Sequence, residues 1–337
     1  MNLIMKNCQM ISFTNILIFH IFLNFVIFYF FDYLKQKINI YDYPNSKKKM
    51  HKKAIPLMGG LIFLFNLIFF LILKNLSLSI LELNIILSSL FFLVIGVLDD
   101  KFDLSPYFKF LSLTIVLLIF FIFNEKMIIN NVNIYNYNIN FNKDIGIFFS
   151  ILCVLLFVNA FNLFDGINLQ SSSYGLFFLI FLISKGLFIE IILIIIIPLL
   201  LIIYLNNKNK TFMGDGGTLF LGSIMSLIVI ANYTKTNSLT VEEIFLLMFF
   251  PGMDMLRLFI ERIYHKKNPF MGDREHLHHH LLTLYGYKLS ILLIFIISIL
   301  PLLSNLFIRS EFVIIFFIIF YFFLLFLVKK KISKKII

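Results

Sequence analysis

The chain has 337 residues, of which 60% are hydrophobic, 14% are charged and 45 are Phe, and its net charge is +11. Soluble domains usually carry about 25% charged residues, so this composition and a mean hydropathy of +0.96 exclude that class. Cys8 and Cys153 lie in or beside apolar segments without partner spacing, which implies neither a disulfide nor a zinc site.

Apolar runs long enough to cross about 30 Å of hydrocarbon as helix recur along the whole length. The first, "ISFTNILIFHIFLNFVIFYFF", is too long for a signal-peptide core and lacks a small-residue cleavage site. Runs centred near residues 22, 65, 89, 115, 153, 178, 196, 225, 251, 298 and 320 predict an all-α polytopic integral membrane protein with about eleven spans. The chain reads as one transmembrane domain over 1–337, with polar loops near 35–56, 99–109, 162–170, 206–217 and 264–287. Those loops and the C-terminal tail hold 21 of the 29 Lys and Arg residues, against seven on the opposite side. The positive-inside rule then predicts an N-terminus outside, a C-terminus in the cytoplasm and every polar cluster on the cytoplasmic face. The basic surplus follows from topology and attraction to anionic lipid, and nucleic acid is not needed to explain it.

Five clusters follow in chain order. "DYPNSKKKMHKKAIPLMGG" reads either as a basic loop that fixes orientation or as an anion-attracting entrance containing His51. Gly59 and Gly60 would permit close approach of a helix or a ligand. In "GVLDDKFDLSPYFK", Asp99 and Asp100 end an apolar span, where the helix dipole disfavours them and burial is costly. A compensating partner is required, and Mg²⁺ with oxygen ligands is the natural one; Asp103 reads as a solvated loop acid. In "NAFNLFDGINL", Asn159, Asn162 and Asp165 recur every third residue as a polar helix stripe, with helix-to-helix amide pairing as the plainer alternative.

"FMGDGGTLFLG" predicts a glycine turn whose unpaired backbone N–H groups at a helix start suit phosphate, although it is not a Walker loop. Asp215 within it would meet an anion only through a metal. In "GDREHLHHHL", a helical reading puts His276, His279 and His280 on one face and His278 elsewhere. Arg274 and the imidazoles suit phosphate oxygens better than zinc, because thiolates are absent.

Three acid sites, a glycine turn, Lys-rich loops that include Lys109 and an Arg/His cluster on one face suit phosphoryl transfer between a charged soluble donor and a lipid phosphate. Bringing two unit charges to about 5 Å at an effective dielectric of about 20 costs about 3 kcal/mol, which a divalent cation and fixed donors can offset. A secondary transporter would instead place ionisable groups near the midplane within an internal repeat. A non-catalytic scaffold is the third reading.

These segments, in this order over roughly residues 40–287, resemble the polytopic phosphoglycosyltransferases, the polyprenyl-phosphate N-acetylhexosamine-1-phosphate transferases. "LDDKFDLSP" is similar to the family's Asp-Asp motif, "NAFNLFDGIN" to Asn-x-x-Asn-x-x-Asp-Gly and "FMGDGGTLFLG" to Met-Gly-Asp-x-Gly-Ser. "DREHLHH" resembles the Asp-Arg-x-His-x-His-His signature of the WecA-type branch, while the triplet His278–His280 also fits the phospho-MurNAc-pentapeptide translocase branch. The resemblance implies transfer of a sugar 1-phosphate from a UDP-N-acetylhexosamine to undecaprenyl phosphate with release of UMP. Mg²⁺, or Mn²⁺ in its place, is implied as cofactor, the bacterial inner membrane as location, and membrane lipid as surroundings, with a homodimer allowed.

The resemblance further implies Asp215 as metal ligand, with Asp99 and Asp100 on the metal or the lipid phosphate. Asp165 and Asn162 would hold the nucleotide side and Phe212 would stack on uracil. Lys109 and His51 would meet substrate phosphates, and Arg274, His276, His278 and His279 the donor's phosphates or sugar. Asn206 is a candidate base reader. This chain departs from the pattern at Asn168, where many members have Asp, at "LQSS" in place of Gly-Leu-Ala, and at Thr218 in place of Ser.

Overall fold

Hydrocarbon offers no hydrogen-bond partners, so a chain this apolar closes its backbone bonds within helices. A computed structural model describes residues 12–44, 53–74, 78–135, 137–268 and 274–336. It contains helices α1 (Phe13–Tyr29), α2 (Phe31–Ile38), α3 (Gly59–Lys74), α4 (Ile80–Phe102), α5 (Pro106–Phe123), α6 (Lys143–Leu163) and α7 (Gln170–Ser184). They continue as α8 (Ile189–Asn207), α9 (Gly214–Ala231), α10 (Val241–Leu247), α11 (Phe249–Tyr264), α12 (Leu277–Ser304) and α13 (Ser310–Ile336). Two short antiparallel pairs join β1 (Tyr41–Asp42) to β2 (Ile55–Pro56) and β3 (Asn131–Ile134) to β4 (Tyr137–Asn140).

Among the described residues, seven helices are long and apolar enough to cross a bilayer, or eight if α1 and α2, bent by 70°, form one span. The apolar helices α3 and α7 are shorter, at 16 and 15 residues. The chain is thus an all-α polytopic membrane protein. Around residue 251 the structure differs from the expected single span. The chain breaks at Met248 (φ −96°, ψ 10°) into α10 and α11. Helix α11 buries Asp254, Arg257 and Arg262, charges that an averaged hydropathy conceals.

Helix α9 occupies the centre. Every residue from Gly216 to Ala231 is buried, because Gly, Ser, Thr and Ala along it let neighbouring backbones come close. Gly59 at the start of α3 is one such approach: a Cβ there would stand 2.4 Å from the Met213 carbonyl oxygen. The glycine pair therefore serves helix packing. His20 and Asn24 of α1 clasp Asn66 of α3 in the apolar interior, with the His20 Nδ1 and Asn24 Nδ2 atoms 3.1 and 2.7 Å from its Oδ1. Helix starts follow local chemistry: Ser79 and Glu82 form a reciprocal cap on α4, and Ser105 caps α5, whose first residue is Pro106. Long-range contacts bring the ends of α4, α6 and α8 against the starts of α7, α9 and α12 at one end of the bundle.

Candidate active site

At that end, the glycine turn of α9 meets a carboxylate of the protein itself. The Asp215 N–H donates to Asp100 Oδ1 at 2.8 Å and the Gly216 N–H to Asp100 Oδ2 at 3.0 Å. Asp100 sits at the unfavourable end of its own helix but faces the positive end of α9, which resolves the conflict in the sequence. The two N–H groups expected to cradle phosphate are therefore already engaged, as are both oxygens of Asp100. Asp99 turns elsewhere: Oδ1 accepts the Leu104 N–H at 2.8 Å and Oδ2 the Lys109 ammonium at 2.6 Å.

Lys109 Nζ also reaches Asp215 Oδ2 at 3.2 Å, and Asp215 Oδ1 accepts from Asn162 Nδ2 at 3.0 Å. The other Asn162 amide hydrogen goes to Thr218 Oγ1 at 2.7 Å, so the hydroxyl retained where the family has Ser supports this arrangement. One polar chain thus links α4, α5, α9 and α6. The ammonium lies between two carboxylates whose hard oxygens, Asp99 Oδ2 and Asp215 Oδ2, converge on positive charge. That donor set fits a divalent cation such as Mg²⁺.

Beside this chain opens a cavity of about 570 Å³, walled by Asp42, Asp100, Asn162, Asp165, Phe212 and Asp215 among others. Thr211 ties the first and fourth clusters together: its Oγ1 accepts the Met58 N–H at 3.0 Å and donates to the Pro56 carbonyl at 2.9 Å. The Phe212 N–H donates to the same carbonyl at 3.0 Å, which fixes half-buried Phe212 at the cavity wall. Asn206 is buried with its amide committed, accepting the Leu169 N–H at 2.5 Å and donating to the Thr211 carbonyl at 2.8 Å. These two bonds shape the loop at the cavity wall, which Asn206 also lines. Asn168 donates to Asn209 Oδ1 at 2.5 Å. Asp165 lies just beyond α6 and accepts from the Ser171 hydroxyl. Burial pushes its carboxyl up to about 6, Ser171 opposes that rise, and Asp215 adds to it.

The histidines divide differently from the expected helix face. His276 precedes α12 in extended conformation (φ −63°, ψ 142°), so it does not share the helical spacing of His279 and His280. Its ring stacks on His278 (centroids 5.1 Å apart, planes at 13°), and its Nδ1 lies 2.7 Å from Asp254 Oδ2. His278 is buried against Gly166, where an added Cβ would come within 2.0 Å of its Nε2. Only His279 of the four lines the cavity. His280 faces Glu275, with Nε2 3.4 Å from Oε2.

The model of the family described as "Glycosyl transferase family 4" matches residues 82–233. An undecaprenyl-phosphate alpha-N-acetylglucosaminyl 1-phosphate transferase of Salmonella typhi is 26% identical over 261 residues, covering 72% of this chain and 69% of the relative. Its Escherichia coli (strain K12) counterpart is 25% identical over 331 residues, 93% of this chain and 86% of the relative. A probable undecaprenyl-phosphate N-acetylglucosaminyl 1-phosphate transferase of Bacillus subtilis (strain 168) is 26% identical over 283 residues, 81% and 78% of the two chains. Over that segment the chain is similar to glycosyl transferase family 4.

The matched segment contains Asp99, Asp100, Lys109, Asn162, Asp165, Phe212 and Asp215. All of these line the cavity or touch a residue that does. Arg274 and His276 are not among the cavity walls, and His51 lies outside the described residues. Asp254 and Tyr321 went unnoticed in the sequence, and Arg257, the one basic residue counted inside a span, was given no role; together they hold the histidine segment from behind. The available signal was the presence of ionisable residues in an apolar stretch, which usually marks a structural or functional network.

Proposed function

We propose that the protein transfers N-acetylglucosamine 1-phosphate, or a close N-acetylhexosamine analogue, from its UDP-sugar to undecaprenyl phosphate at the cytoplasmic face of a bacterial inner membrane. The observation that carries this reading is the gathering of five separated motifs around one cavity at the bundle's end. There Asp99, Lys109, Asp215 and Asn162 form a continuous polar chain. The names of the relatives support the lipid acceptor and the N-acetylglucosaminyl donor, and the distribution of basic residues supports the cytoplasmic orientation.

In the reaction, an oxygen of the acceptor phosphate forms a bond to the sugar-bearing phosphorus of the donor as the bond to UMP breaks. No proton needs removal from the nucleophile, because a phosphate monoester with a second pKa near 6 is largely dianionic at neutral pH. Asp99 and Asp215 would hold Mg²⁺, which would supply charge neutralisation for the phosphates brought together. Lys109 provides a positive charge beside both carboxylates and would meet acceptor phosphate. Asn162 orients Asp215, while Asp100 holds the start of α9 so that Asp215 keeps its position. Phe212 offers a flat apolar wall suited to a uracil ring, and His279 a polar edge for the donor.

The test is release of UMP by purified protein in lipid given undecaprenyl phosphate, Mg²⁺ and a panel of UDP-N-acetylhexosamines that includes UDP-MurNAc-pentapeptide. Turnover with UDP-GlcNAc is expected. Turnover with the pentapeptide donor alone would instead assign the translocase activity, and silence across the panel would sink the proposal.

A further inference from the structure

We infer that Asp254 is a positioning residue that sets the histidine segment against the cavity. This rests on the reading that the segment serves the sugar-nucleotide donor. Asp254 is 4% exposed and accepts from four donors. Its Oδ1 takes Arg257 Nη2 at 2.8 Å, the Tyr321 hydroxyl at 2.7 Å and the Leu277 N–H at 3.2 Å, while Oδ2 faces His276 Nδ1 at 2.7 Å. Arg257 is shared in turn: Nε donates to the Tyr321 oxygen at 2.9 Å and Nη2 to the Glu275 carbonyl at 2.7 Å. One carboxylate therefore fastens α11, the start of α12 and the middle of α13 at a single point.

The arrangement then runs outward through rings in contact. A carboxylate on His276 Nδ1 fixes that ring's orientation and tautomer. His276 stacks on His278, and His278 meets His279 edge-on at 4.3 Å between centroids. His279 is the ring that reaches the cavity. Asp254 touches neither the cavity nor the Asp99–Lys109–Asp215 chain, so its effect on donor handling passes through these imidazoles. The ligand atoms of Asp254, His276 and His278 lie within 4.8 Å of one another, a spacing that could suggest a cation site. Both Asp254 oxygens and His276 Nδ1 are already engaged in the hydrogen bonds that hold the segment, so the cluster reads as a positioning network.

The experiment compares wild type with Asp254→Asn in full-length protein reconstituted in lipid, by two readouts. In steady-state turnover, the KM for the UDP-sugar should rise about 10- to 100-fold, the range usual for loss of an orienting partner, with the KM for undecaprenyl phosphate unchanged. In carbethoxylation by diethyl pyrocarbonate, read by peptide mass spectrometry, His276, His278 and His279 should react several-fold faster. Buried His20, in the distant clasp between α1 and α3, should stay protected and so report an intact fold. Unchanged donor KM, or equal loss for both substrates with unchanged labelling, overturns the inference. If wild-type protein turns over no donor, the proposed function fails, and the labelling alone decides whether Asp254 holds the segment. If His20 also becomes reactive, Asp254→Asn has unfolded, and Tyr321→Phe, which removes one donor from the same carboxylate, is judged by the same criteria.

Discussion

Asp100 and Asp99 are adjacent and chemically identical, yet their surroundings assign them different work, which makes Asp100→Ala an informative perturbation. Asp100 accepts two backbone N–H groups at the start of a buried helix, at 2.8 and 3.0 Å. A hydrogen bond to a charged group contributes about 1.5–3 kcal/mol, and an N–H left buried without a partner adds its own desolvation cost. Deleting the carboxylate should therefore destabilise the fold by about 3–5 kcal/mol, mostly by fraying the first turn of α9. Asp100→Asn keeps one acceptor oxygen and should lose roughly half of that. Asp99→Ala should cost less, because it gives up a single backbone hydrogen bond and a lysine contact while relieving repulsion from Asp215. The measurement is unfolding in mixed micelles, followed by thermal scanning and by titration with SDS, with and without Mg²⁺. The loss in Asp100→Ala should not depend on added Mg²⁺, since this side chain holds backbone. Wild-type stability in Asp100→Ala, or a defect that Mg²⁺ abolishes, would refute the assignment.

Asp215→Asn should eliminate UMP release while leaving the yield of folded protein in the membrane fraction near wild type, because Asn can still accept from the Asn162 amide; loss of the protein from that fraction would contradict this. Gly166→Ala should lower turnover by at least about 10-fold, the scale expected for a small displacement of positioned groups, since its methyl would meet His278 Nε2 at 2.0 Å; wild-type turnover would refute the close approach. Asp165 has a raised folded-state pKa of about 6, so the folded state holds its proton more tightly than the unfolded chain does. This contribution to stability falls as pH rises between about 4 and about 6 and is flat above that window. The difference in unfolding temperature between wild type and Asp165→Asn should follow that slope, and a pH-independent difference would rule the assignment out.

Much of the arrangement was legible in linear sequence because both signals involved are local. A bilayer requires long apolar helices, and charge near lipid is tolerated only where a partner or water compensates it. The motifs thus marked the helix ends that line the cavity, including Asn162, Phe212 and Asp215. Local patterning could not say which partner each group would choose. Nothing near Asp100 in the chain shows that its counterpart is the backbone of Asp215 and Gly216, more than a hundred residues away. The same holds for Asn206, whose amide is used by two backbone groups, and for His276, which turns from the expected helix face toward Asp254.

Composition and motif order by themselves determined the class of protein and marked polar helix ends that gather around the cavity, since these follow from hydropathy and residue type alone. Only the tertiary structure decided the partners: Asp99 and Asp215 flanking the Lys109 ammonium, Asp100 capping a helix, and Asp254 against His276. Hydrogen bonds and ion pairs act over about 3 Å, and such distances between remote segments are set by how the helices pack.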